Sequence, residues 1–325
     1  MKAQASPNIA LIKYWGKKPP HSQLDRNIGV NPSVSITLSR AKTQTEVKIS
    51  PELKEDRFDF NSEEVTGPKL DKVSRHLDLL FDFLQKPRVS CHVRSENNFP
   101  TGAGIASSAS GFAALTLATL AELEGAVAVE EKYLGRSRPE LSRLSRLGSG
   151  SACRSVSGPF MFWEEQSAKL IGPEDWKLYD TIVFLDDQHK STPSSLGHEL
   201  ALTSPLLPKR MKALEARIPA LLKAIESKNF NALGSIIEEE AEEMHQIMES
   251  SNPPVFYRNQ QTQAFLKALE ALPNRDFFWT LDAGPNPHII SERPISSEIK
   301  ALLDSLGIQA QVWEDHCGFG PTLLD

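Results

Sequence analysis

NNFPTGAGIASSASGFAAL, residues 97–115, is the stretch from which the rest of the chain can be read. It opens polar with Asn97 and Asn98 and turns at Pro100. Gly102 and Gly104 follow, beside the hydroxyls of Thr101, Ser107 and Ser108. After Ser108 it becomes Ala-rich, with Phe112, Leu115 and Ala118 at helical spacing. It reads as a glycine loop feeding the N-terminus of a buried helix. Such a terminus has unpaired N–H groups and a partial positive charge, so it favours anions. Glycines let the backbone approach a polyphosphate, and serine hydroxyls add donors. Taken alone, the loop reads also as a plain Gly/Ser connector before a core helix. A Walker loop would need Gly-Lys-Ser/Thr at its end, and no lysine follows here. The dinucleotide fingerprint would need a third glycine where Ser107 stands.

Composition narrows the function classes. A chain of 325 residues can form one large or two medium domains. Its 40% hydrophobic content supports a sizeable core and argues against global disorder. A net charge of −6 argues against a nucleic-acid binder, and it means that a site for an anion must gather its cations locally. No run approaches the ~20 apolar residues of a membrane span. The start, MKAQASPNIALIKYW, has no long apolar core or cleavage pattern, so no signal peptide is expected. Cys91, Cys153 and Cys317 are odd in number and far apart, which suits reduced thiols in the cytoplasm. The histidines are scattered without H-E-x-x-H, so no zinc site is expected.

Ahead of the loop, NIALIKY (8–14) reads as a strand and WGKKPPHSQLDRN as a loop, and Lys13, Lys17, Lys18 and Arg26 make this part cationic. From charge alone that is equally a solvated basic loop. Strands are expected at 33–39, 45–50, 57–60 and 88–95, the last with Cys91 turned into the core, and a helix at 70–84. Behind the loop come a helix ending near Gly125, a polar helical stretch over 130–147, and GSGSACRS (148–155). If a helix starts there, Ser149 and Ser151 sit in its first turn, and Arg154 can fork onto a carboxylate or phosphate. An ordinary serine cap with a surface arginine fits the same spacing. Strands follow at 159–164 and 181–187, then a hydroxyl-rich loop, HKSTPSSLGH (189–198). Helical runs from Met211 to Ile225 and from Phe230 to Ile247 come next, the second carrying EEEAEE (238–243) as a wet face. A helix at 262–272, a strand FFWTL, DAGPN (282–286), a strand at 288–291, a helix at 296–305 and a strand at 308–313 complete a ferredoxin-like pattern. Asp282 ends a strand beside a glycine turn. It is placed either to face a cleft or to serve as plain turn chemistry.

The pattern P-x-G-x-G-x-A-S-S-A resembles the phosphate loop of the GHMP family of small-molecule kinases. NIALIKYWGK (8–17), GSGSACRS and DAGPN resemble the signature blocks of its decarboxylating branch, the diphosphomevalonate decarboxylases, in the family's order and over most of the chain. The resemblance implies an α+β fold in two parts with a cleft between them. Residues 1–178 would form an ATP-binding domain resembling ribosomal protein S5 domain 2, and 179–325 a ferredoxin-like domain. It implies a cytoplasmic homodimer that uses ATP with Mg2+ and contacts neither nucleic acid nor membrane. The activity implied is ATP-dependent decarboxylation of 5-diphosphomevalonate to isopentenyl diphosphate.

By the same resemblance, Asn98, Pro100, Gly102, Ala103, Gly104, Ala106, Ser107 and Ser108 would bind ATP. Tyr14, Lys17, Ser149, Ser151, Arg154 and Ser194 would bind substrate. Asp282 would be the catalytic carboxylate, kept ionised by Lys17, and Arg154 would hold the substrate carboxylate. The chain departs from the family at Gly102-Ala103-Gly104-Ile105, which is nearer the kinases. It departs also at Ser195, where some relatives have arginine, and at His198, where methionine is usual. A kinase that stops before CO2 loss, or an enzyme acting on mevalonate or its 5-monophosphate, is the alternative.

Overall fold

The computed structural model describes residues 1–100, 107–186 and 192–325. Gly102, Ala103, Gly104 and Ala106 lie outside the described residues. The first half runs β1 (Lys2–Ala5), β2 (Asn8–Ile12), β3 (Ser33–Thr37), β4 (Thr43–Ile49), β5 (Arg57–Phe60), β6 (Glu63–Val65), α1 (Pro68–Phe83) and β7 (Cys91–Asn97). It continues with α2 (Ser107–Glu124), α3 (Ala126–Tyr133), α4 (Pro139–Gly148), a 3-10 turn (Gly150–Arg154), β8 (Phe160–Glu164) and β9 (Ser167–Ile171). The second half runs β10 (Tyr179–Phe184), α5 (Ser194–Leu200), α6 (Leu207–Glu226), α7 (Phe230–Glu249), α8 (Gln260–Glu270), β11 (Phe277–Thr280), β12 (His288–Ser291), α9 (Ser296–Ser305), β13 (Gln311–His316) and β14 (Thr322–Leu324).

The described residues form three sheets. One has the order β14-β1-β4-β7-β5-β6, the second β2-β3-β8-β9, and the third β11-β12-β10-β13. The third is antiparallel throughout. Its order, with α5 to α8 in the first crossover and α9 in the second, is the ferredoxin-like arrangement. The fold class expected from the sequence is the one observed. The last strand leaves this unit and pairs with β1, Lys2 opposite Leu324.

Helix α2 is buried on nearly all sides, because alanines at 109, 113, 114, 118 and 121 let it lie close to the first sheet and α4. A second core joins the halves: Ile9, Ile12, Val34 and Ile36 of the β2–β3 sheet pack with Ile182, Ile290 and the α6–α7 residues Leu214, Leu221 and Ile237. The walls of the cleft therefore rest on common packing.

Four expectations need correction. The stretch 130–147 is two helices, since Pro139 can open α4 at its first turn but cannot continue α3. Residues 194–198, read as loop, begin α5. GSGSACRS does not open an α-helix: α4 ends at Gly148 and a 3-10 turn follows. The run EEEAEE is only partly wet, because Glu240 is fully buried between Arg210 and Arg217. No described helix is long and apolar enough to cross a membrane.

Candidate active site

The NIALIKYWGK block leaves β2 at Ile12 and turns at Gly16, whose φ of +94° is left-handed and whose missing Cβ leaves room for Val30. The turn carries Lys13, Tyr14 and Lys17 into a pocket of about 720 Å3. Asp282 enters from the end of β11, Ser107 and Ser108 from the start of α2, and Ser149, Ser151 and Arg154 from the turn after α4. Ser194 enters from α5. Among the described residues, one cleft thus gathers the expected site residues from both halves, with two exceptions. Asn98 and Pro100 do not line it, and the Asn98 side chain is spent on backbone, its Oδ1 accepting from Lys42 and its Nδ2 donating to the Arg40 carbonyl.

The lysine beside Asp282 is Lys13, not Lys17. Lys13 Nζ donates to Asp282 Oδ1 at 2.6 Å and to the Ala10 carbonyl at 2.8 Å. Burial acts to raise the Asp282 carboxyl, but the Lys13 ammonium, with His288 and Arg154 adding to it, holds the group below the usual carboxylate range. Burial lowers Lys13 in turn, and Asp282 partly restores it. The Asp282 side chain keeps a quarter of its surface open to the pocket, while that of Lys13 is 1% exposed. So the carboxylate faces the cavity and the ammonium stands behind it. Lys17 instead donates to Asn27 Oδ1 at 3.1 Å, with burial lowering its pKa and Glu199 raising it. Spacing alone could not separate the two lysines, because a one-residue turn at Gly16 sends them to different walls.

Arg154 is buried and fixed. Its Nε donates to Asn8 Oδ1 at 3.3 Å, its Nη1 to Ser33 Oγ at 2.6 Å, and its guanidinium lies over Trp163. Tyr14 Oη donates to the Asn27 carbonyl at 2.9 Å, and its ring lies between Trp163 and His198. Ser108, Ser149 and Ser151 form a row of hydroxyls, spaced 3.2 Å and 3.5 Å apart. This row links the start of α2 to the Arg154 turn.

Helix α1 supplies residues that the sequence reading missed. Lys72, Arg75, His76 and Leu79 line the pocket and recur at i, i+3, i+4 and i+7, a stripe beside the apolar one that shares its buried edge at His76. That spacing was the available signal. Burial, with Lys17, Arg75 and Arg26 nearby, brings the Lys72 pKa down to about 8. Among the described residues, Lys13, Lys17, Arg26, Lys72, Arg75 and Arg154 stand around the pocket against Asp282 and Glu199. A chain of net charge −6 has thus gathered cations at one place, as an anionic ligand requires.

This arrangement can be set beside known proteins. Residues 5–171 match the diphosphomevalonate decarboxylase-like N-terminal domain, and residues 181–318 the mevalonate 5-diphosphate decarboxylase C-terminal domain. The chain belongs to the diphosphomevalonate decarboxylase family. A diphosphomevalonate decarboxylase of Ganoderma lucidum is 34% identical, over 97% of this chain and 84% of the relative. The crystal structure of the mevalonate diphosphate decarboxylase of Staphylococcus aureus aligns with a TM-score of 0.86 and 31% identity, covering 100% of this chain and 97% of that one. A further structure, MDDEF in complex with MVAPP, AMPPCP and magnesium, aligns with a TM-score of 0.85 and 31% identity, over 100% and 98% of the two chains.

Proposed function

We propose that the chain carries out ATP-dependent decarboxylation of 5-diphosphomevalonate, releasing isopentenyl diphosphate, ADP, phosphate and CO2. The observation that carries the reading is the Lys13–Asp282 pair, with its carboxylate open to a cationic pocket that the start of α2 also lines. ATP with Mg2+ would supply the phosphoryl group that turns a tertiary hydroxyl into a leaving group. Mg2+ usually keeps several waters and takes few protein ligands beside phosphates, so the hydroxyls of Ser107, Ser108 and Ser149 suit it without a carboxylate cage.

Asp282 orients the substrate 3-hydroxyl and takes its proton, and Lys13 keeps Asp282 ionised for that task. Arg154 holds the substrate carboxylate. Tyr14, Lys17, Ser149, Ser151 and Ser194 hold the diphosphate and carboxylate ends. Once the 3-oxygen carries phosphate, the C3–O bond breaks with its electrons leaving on phosphate. The electrons of the bond to the carboxyl carbon then form the alkene, and CO2 departs. Arg26, Lys72 and Arg75 add cationic charge to the pocket, which supports a diphosphate over a monophosphate. The reading carries with it a cytoplasmic homodimer divided after residue 178, which size-exclusion chromatography with light scattering and limited proteolysis test.

The deciding assay offers mevalonate, its 5-phosphate and its 5-diphosphate, and follows ADP and CO2 together. Equal ADP and CO2 from the 5-diphosphate is the expected result. ADP without CO2 would make the chain a kinase. Asp282→Asn is expected to cost at least ~1000-fold in kcat with substrate affinity largely kept.

A further inference from the structure

The mechanism uses the Lys13 side chain but leaves unexplained what holds its backbone. Lys13 lies one residue past the end of β2, where strand pairing has stopped. Its N–H donates to Glu240 Oε1 on α7 at 3.0 Å. Its carbonyl accepts from Arg210 Nη2 on α6 at 3.2 Å and from Asn31 Nδ2 at 3.0 Å. Glu240 and Arg210 are both fully buried. Arg210 also donates to Glu240 Oε1, and Arg217 Nη1 donates to Glu240 Oε2 at 2.6 Å. Arg217 reaches Glu239 and Glu243 besides.

A buried ion cluster is a poor source of stability, since desolvation offsets most of the attraction. This one spends bonds on both the N–H and the carbonyl of Lys13, which lie in two successive peptide units, and Lys13 carries the ammonium facing Asp282. We propose that Arg210 and Glu240 from the second half of the chain, with Asn31 from the first, form a clamp of positioning residues that aim Lys13 at Asp282. The inference rests on the functional reading above, with the clamp acting through Lys13 and never touching substrate. It couples the second half of the chain to the charge of a residue in the first.

The charged groups facing Lys13 are Asp282 from the end of β11, Glu240 and the more distant His245 from α7, Arg210 from α6, and Arg154 from the 3-10 turn. Glu240 and Asp282 favour the ammonium, and Arg154 opposes it. Glu240→Gln keeps an oxygen for the Lys13 N–H but removes the charge. The Lys13 pKa then falls, and the basic limb of kcat against pH moves to lower pH.

The test uses the full chain with ATP, Mg2+ and 5-diphosphomevalonate. Glu240→Gln is expected to lower kcat about tenfold, to leave KM for both substrates within about threefold, and to move the basic limb down by about half a pH unit or more. Glu240→Asp is expected to restore the limb. An unchanged limb and kcat, with only a lower Tm, would overturn the clamp. Asn31→Ala removes an uncharged member. If Glu240→Gln fails to fold, a severalfold fall in kcat for Asn31→Ala supports the clamp, and full activity overturns it. A thermal cycle of Asn31→Ala with Lys13→Met reads the coupling without turnover, and additive Tm shifts overturn it. Were the unaltered chain inert toward every mevalonate phosphate, the functional reading would fall while this cycle still judged the clamp.

Discussion

Lys13 and Lys17 share a short motif, yet the fold gives them different tasks. Lys13 is sealed behind Asp282, and Lys17 lies at the rim beside Asn27. Lys13→Met is therefore expected to leave Asp282 buried without its counter-charge. Its carboxyl pKa rises, and kcat falls by about 100-fold or more while KM changes little. Lys17→Met is expected to act the other way, raising KM for the phosphorylated substrate about tenfold with kcat within a few-fold. Steady-state kinetics on the pair separates the two tasks. Equal effects on kcat would restore Lys17 as the partner of Asp282. His198 is a further case. Its Nδ1 accepts from the Gly16 N–H at 3.1 Å and its ring lies against Tyr14 and Trp15, so burial holds it neutral as part of the turn's support.

The turn Gly150–Arg154 shows how backbone economy shapes the site. A Cβ on Gly150 would lie 2.6 Å from the Tyr14 ring, so the turn and the first block can meet only because that position is glycine. Gly150→Ala is expected to push Tyr14 off its seat against Trp163. Stability falls by about 1–3 kcal/mol, and KM for substrate rises well beyond what the lost stability explains. Thermal melts and kinetics on one preparation check both. The stripe Lys72, Arg75, His76 and Leu79 on α1 went unread in the sequence, although its spacing was there, since charged residues beside an apolar helix face usually meet water.

The whole chain carries an acid liability in His76, His198 and His245. All three are buried, and burial lowers each pKa, that of His76 to about 3. The unfolded chain binds these protons near pH 6.5 and the folded chain does not. Stability is therefore complete above pH ~6.5 and is lost as pH falls below it, by about 1.4 kcal/mol per pH unit for each histidine. Urea midpoints at pH 7.5, 6.5 and 5.5 are expected to fall along this series, and His76→Phe to flatten the slope by one proton. A slope independent of pH would contradict the burial of these rings.

The order of motifs, the strand and helix periods and the ferredoxin-like pattern were readable from residues, because glycine turns, alternation and helical spacing are local. Asp282, Arg154, Ser108, Ser149 and Ser151 were named as a set only through the family resemblance, and the fold brings them to one pocket. The identity of the lysine at Asp282, the burial of Glu240 in an acidic run, and the cationic stripe of α1 came from elsewhere. Each depends on which groups from distant segments exclude water from one another, and charge in a sequence carries no record of its own desolvation.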